Sequence, residues 1–137
     1  MNNKDKTNMV KPLAPYILLQ TYQNVMTISK DVVKCLGFPT HICLRINETA
    51  NSFAIIPCEP EDVMSFKVPE KLLTDHHCVF RIHSKPFILN LVLKYNLNLE
   101  SVYTCKGIYS PKVNAVIFSL ERENLQIGNS ILIGKTN

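Results

Sequence analysis

The sequence predicts a β-rich α+β domain: two strand–short helix–β-hairpin repeats forming an intertwined, barrel-like domain about a pseudo-twofold axis. Three observations predict it. "VMTISKDVVKCLGF" (25–38) and "FRIHSKPFILNLVLKY" (80–95) each put a strand-like apolar run before Ser-Lys and helical apolar spacing after it. "NSFAIIP" (51–57) and "VNAVIFS" (113–119) each read as the returning strand of a hairpin. The offsets also nearly agree: Ser29 and Ser84 are 55 residues apart, while Cys43 and Cys105, like Ile55 and Ile117, are 62 apart. The difference is about two helical turns, so the second helix should be the longer one.

In chain order, residues 1–14 read as a flexible tail, polar and mixed in charge. Residues 15–60 form the first unit, 61–79 a connector, 80–124 the second unit and 125–137 a C-terminal tail. "YILLQTYQNVMTIS" (16–29) reads as one strand rich in Thr, Tyr and Val. Ser29 can N-cap the helix that follows, and Asp31 suits the positive end of its dipole. Val32, Val33, Cys35 and Leu36 supply the apolar face. Gly37 can take the left-handed C′ position, and Pro39 bars a restart. "HICLRI" alternates, with Ile42, Leu44 and Ile46 on one side and His41, Cys43 and Arg45 on the other. "NETANS" is a turn and "FAIIPC" the return.

The connector "EPEDVMSFKVPE" is acidic and Pro-containing, and a helical turn can start at Pro69-Glu70. In the second unit Ser84 is the cap, and Phe87, Leu91, Val92 and Tyr95 keep helical spacing. "SVYTCKGIY", "SPKVN" and "AVIFSL" then read as strand, turn and strand. Ile28, Leu36, Leu44 and Ile55 should be buried, with Ile82, Leu91 and Ile117 as their counterparts.

Composition narrows the function classes. The chain has 137 residues, 46% of them hydrophobic, and a formal charge of +4, which describes a folded domain without the concentrated charge of a dedicated nucleic-acid binder. No apolar run approaches the roughly 18 residues of a membrane span. The amino end has no apolar signal region, so a cytoplasmic location is the default expectation. Five cysteines without a CxxC spacing read as reduced, buried thiols. "DHHC" (75–78) and His83 have donors of the types zinc uses, but adjacent donors match neither a helical pair nor a hairpin site, so no metal or other cofactor is expected. Cys35 or Cys78 could pair with His41, His76 or His77, yet no nucleophile motif surrounds either cysteine. "GKT" (134–136) lacks the first glycine of a phosphate loop, because position 129 is Asn. A non-enzymatic protein is the expectation.

"ISKDVVKCLGF…HICLRINETANSFAIIP" (28–57) resembles the swapped-hairpin family of the AbrB and SpoVT amino-terminal domains. The matching residues are Ile28, the helix Asp31 to Leu36, Gly37, the strand Ile42 to Ile46, the turn 47–51, and the return from Phe53 to Pro57. Two such units in one chain resemble the MraZ-type tandem pseudo-dimer. The chain departs from the pattern at Ser29, where the family has Pro, and at Pro39-Thr40-His41, where it has Gly-Asp. The second unit has no Leu-Gly.

The resemblance implies a transcription regulator that binds double-stranded DNA, with basic residues meeting phosphates and groove edges. Carried over position by position, the contacts are Lys30, Lys34 and Arg45, joined by Arg81 and Lys85 in the second unit, with Lys106 on its first hairpin strand. The alternative expectation is a non-catalytic protein-interaction module of the same fold, an adaptor or antitoxin-like chain with a protein partner. Either reading allows a homo-oligomer.

Overall fold

The computed structural model describes residues 12–47, 49–74, 76–121 and 124–129. The expected single strand over 16–29 is a hairpin. β1 (Tyr16–Gln20) and β2 (Val25–Ser29) pair antiparallel, with Ile17 opposite Ile28. A 3-10 turn over Thr21–Gln23 joins them, and Asn24 takes the left-handed region at φ 57°. No Gly or Pro announces this turn. Asn supplies it, because its short polar side chain tolerates positive φ. Asn51, Asn96 and Asn114 do the same at the first hairpin turn, the end of the second helix and the second hairpin turn.

α1 (Lys30–Cys35) starts at the predicted Ser29, but Ser29 makes no side-chain cap bond. Its hydroxyl instead accepts from the Tyr16 backbone N–H at 3.0 Å. Asp31 accepts from the Ala14 N–H at 2.9 Å, so the chain just before β1 is tied down. The helix ends as expected: Gly37 has φ +81°. Its N–H donates to the Lys34 carbonyl and the Phe38 N–H to the Val33 carbonyl, the paired closing bonds of a Schellman motif. β3 (His41–Asn47) and β4 (Ser52–Pro57) form the first hairpin. The connector contains a strand that the sequence did not announce, β5 (Ser65–Lys67), which pairs with β3. A 3-10 turn at Glu70–Leu73 follows.

β6 (Val79–His83) pairs antiparallel with β2. α2 (Lys85–Tyr95) has 11 residues against 6 in α1, and Ser84 caps it by accepting the Phe87 N–H. β7 (Ser101–Ser110) and β8 (Ala115–Ser119) form the second hairpin. Residues from 125 onward, assigned to a tail, contribute β9 (Leu125–Asn129), which pairs with β7. The remainder of that segment, and residues 1–11 of the N-terminal tail, lie outside the described residues.

The strands form one antiparallel sheet in the order β5-β3-β4-β8-β7-β1-β2-β6, with β9 added along β7. It curls into a nearly closed barrel. Among the described residues two α-helices accompany it. Ile17, Met26, Ile28, Ile42, Phe53, Ile55, Leu91 and Phe118 fill its interior. Phe118 stacks on Phe53 with ring centroids 5.2 Å apart, and Phe53 meets Phe87 edge-on at 5.9 Å. Of the residues expected in the core, Ile28, Leu36, Leu44, Ile55, Ile82 and Leu91 are buried.

Ile117 is not: it is 36% exposed, between buried Val116 and Phe118. The cause is phase. Side chains alternate across a strand, so a one-residue slip exchanges the two faces. Phe53 and Ile55 correspond in facing to Val116 and Phe118, an offset of 63 rather than 62. The same slip separates Cys43, on the face opposite Ile42 and Leu44, from Cys105, which lies in the core.

Two glycines separate backbone cost from packing cost. A Cβ at Gly37 meets nothing within 4 Å, so Gly37→Ala should cost only the left-handed backbone, about 1 kcal/mol. A Cβ at Gly107 would lie 2.6 Å from Phe118 Cε2 and 2.7 Å from Val116 Cγ1. Gly107→Ala should therefore destabilise more, by about 1–3 kcal/mol. Urea unfolding of the two variants would check the order, and equal losses would count against the packing argument.

Candidate functional site

The five basic residues assigned to nucleic-acid contact lie on four elements. Lys30 and Lys34 are on α1 and line one shallow groove with Tyr16, Ser29, Asp31, His77 and Cys78. The Lys30 ammonium donates to the Thr74 carbonyl at 3.0 Å, which holds it against the connector. Arg81 is exposed on β6, opposite the buried Thr27. Lys85 opens α2 and is exposed. The β2–β6 register puts Ser29 beside Val79 and Val25 beside His83. The two helices therefore start at opposite ends of this ribbon, about 17 Å apart along the strands. Arg45 lies on β3 and lines a different groove, with Asn47, Thr49, Ala54 and Ile117. The structure thus brings Lys30 and Lys34 together and leaves Arg45 in a separate place.

Arg45 instead begins a row across the outer face of the sheet. It pairs with Ala54, Ala54 with Ile117, and Ile117 with Ile108. Consecutive partners in register lie side by side on one face, so four adjacent strands present Arg-Ala-Ile-Ile to the outside. Ile108 is 75% exposed. A groove of about 700 Å³ runs beside the row, lined by Thr104, Lys106, Ile108, Ile117, Ser119, Leu125 and Gln126 among others. The charged side chains among the described lining residues of these two grooves are Arg45 and Lys106, and both are basic. Sequence reasoning missed this face because "AVIF" is apolar at every position, so alternation is silent there.

The cysteines divide by position. All five are free thiols, and Cys78 is exposed rather than buried. On β3 the Cys43 thiol is pushed up to about 11, by burial first and the neighbouring Cys58 thiol next, while Arg45 pulls it the other way. Burial also pushes Cys105 up to about 11. Cys35 is raised by burial and then by the Asp31 carboxylate. For these three thiols the shift runs away from the activated thiolate that nucleophilic catalysis needs. Of the Asp-His-His-Cys run, Asp75 lies outside the described residues, and His77 Nδ1 sits 3.1 Å from the Thr74 hydroxyl. Cys43 and Cys58 are 15 residues apart in sequence, with no CxxC spacing to link them. The hairpin makes them diagonal neighbours: Cys43 pairs with Ile56, and the Cys58 N–H donates to the His41 carbonyl.

Among the described residues no helix is long and apolar enough to cross a membrane.

The buried thiol gives a pH dependence. A folded-state value raised above the ordinary 9.0 means that the neutral thiol is favoured in the fold. Its contribution to stability is complete below about 9 and is lost as pH rises through about 11. Between about pH 8 and 11, reduced wild-type protein should lose on the order of 2 kcal/mol more than Cys105→Val does. Urea unfolding at both pH values measures it, and identical losses would refute the burial assignment.

Compared with family models, with curated proteins and with solved structures, the chain finds no match.

Proposed function

We propose that this chain is a non-catalytic protein-interaction module that docks a partner on the outer face of β3, β4, β8 and β7. The observation that carries the reading is the register row Arg45–Ala54–Ile117–Ile108. A monomeric sheet usually turns polar side chains to water, and contiguous exposed apolar surface marks an interaction site. The partner is an apolar polypeptide segment with acidic flanks: its apolar side chains cover Ile108 and Ile117, and its carboxylates meet Arg45 and Lys106. Charged residues at the rim of such a face set on-rate and specificity more than raw affinity.

The domain itself, in this reading, is a tandem pseudo-dimer. The pairings of β2 with β6 and of β4 with β8, both antiparallel, support a pseudo-twofold relation between the two strand–helix–hairpin units. β1 and β5 take equivalent roles beside β7 and β3.

Double-stranded DNA is the second reading, and the observation favouring it is the groove shared by Lys30 and Lys34. One set of measurements separates the two. Peptides selected from a random display library against the intact chain should converge on apolar cores with acidic flanks. Ile117→Glu and Ile108→Glu should abolish their binding, and Ile108→Glu, at the more exposed position, should change stability by no more than about 0.5 kcal/mol. The docking reading fails if the selected peptides bind these variants unchanged, or if sedimentation shows a dimer that Ile117→Glu dissociates. DNA takes its place if mixed duplex fragments bind with a steep salt dependence that Lys30→Ala and Lys34→Ala each reduce by about one unit of slope.

A further inference from the structure

The outer face of β3 carries a second feature. The Sγ atoms of Cys43 and Cys58 and a carboxylate oxygen of Asp62 all lie within 4.8 Å of one another. Three separate parts of the chain position them. Cys43 is in the middle of β3, Cys58 follows β4 on the same face, and Asp62 belongs to the loop that leads to β5. That loop closes on itself: the Glu59 N–H donates to the Asp62 carboxylate at 2.9 Å, and the Asp62 N–H to the Glu59 carbonyl at 3.1 Å. Pro60 at the second position suits such a turn. The carboxylate is therefore held in place rather than free in solvent. The loop also covers β3, where the Cys43 thiol and the Arg45 guanidinium both donate to the Val63 carbonyl.

A second observation points to the same place. Ser65 on β5 is the register partner of Cys43. Its Oγ is buried and has no hydrogen-bond partner. An orphaned buried hydroxyl costs about 1–3 kcal/mol, and a thiolate beside it, or a bound cation, would satisfy it.

We infer that Cys43, Cys58 and Asp62 form a binding site for a thiophilic divalent cation of the zinc class, with Ser65 at its edge. Zinc takes sulfur at about 2.3 Å and carboxylate oxygen at about 2.0–2.2 Å in a tetrahedron. Those lengths put neighbouring donors about 3.5–3.8 Å apart, so a cluster whose donors lie within 4.8 Å of one another needs to contract by no more than about 1 Å. Two thiolates and one carboxylate leave the bound dication with one net negative charge, and Arg45 balances it. Both thiol protons leave to solvent as the metal enters. Three protein donors would leave the fourth position of the tetrahedron to water. The metal would pin the 58–64 loop, and with it the three-residue edge strand β5, against β3.

The test uses the full chain, reduced, with Co²⁺ and then Zn²⁺ as the only probes. One cobalt per chain should bind with thiolate-to-metal charge-transfer absorption, and zinc should displace it. Cys58→Ser should abolish that band, and Asp62→Asn should weaken affinity by at least about tenfold. Cys78→Ser should change neither. Because Cys43 is buried and its variants can misfold, unaltered protein supplies a further readout: zinc should protect Cys43 and Cys58 from alkylation while Cys78 is still modified. Three results would overturn the proposal: no thiolate band, full metal binding by Cys58→Ser, or a Cys43–Cys58 disulfide whose reduced form takes up no metal.

Discussion

The Phe118 ring occupies the space that a side chain at residue 107 would need. That contact fixes much of the barrel. Gly107 marks the point where β7 changes neighbours: residues 102–105 run between β1 and β9, and residues 107–110 pair with β8. With no Cβ there, β8 approaches closely enough for Phe118 to stack on Phe53 and for Phe53 to reach Phe87 on α2. One vacancy on β7 thus links both hairpins and the longer helix. It also sets the phase of β8: Phe118 and Val116 must face in, so Ile117 must face out.

The parts of the fold that the sequence revealed are those with a local physical signature. Gly37 and Pro39 ended α1, Ser84 capped α2, and the alternation of "HICLRI" gave β3 and its outward Arg45. The parts it hid have no such signature. The β1–β2 turn is made by Asn24 in a run of strand-forming residues. β5 is three residues long, too short to alternate. The facing of β8 is a tertiary decision, taken by the Gly107–Phe118 contact and not by any pattern in "AVIF".

The candidate site was legible to a similar degree. Arg45 was placed correctly on a surface, since strand alternation turns it away from Ile42, Leu44 and Ile46. Its company was not legible. Ile117 and Ile108 arrive beside it through three strand pairings, and Cys43, Cys58 and Asp62 meet through a hairpin diagonal and a loop. Spacing rules look for donors a turn or a knuckle apart, whereas here the sheet brings them together.

The sheet order ends at β5 and β6, which do not pair with each other among the described residues. Such unpaired borders invite another chain to continue the ladder. Here the borders are short and carry exposed Lys67, Arg81 and His83. Charge of one sign on both lips of the gap repels a second copy approaching edge-on, and three residues on β5 offer it few hydrogen bonds. Polymerisation through backbone pairing at these two borders is thereby disfavoured.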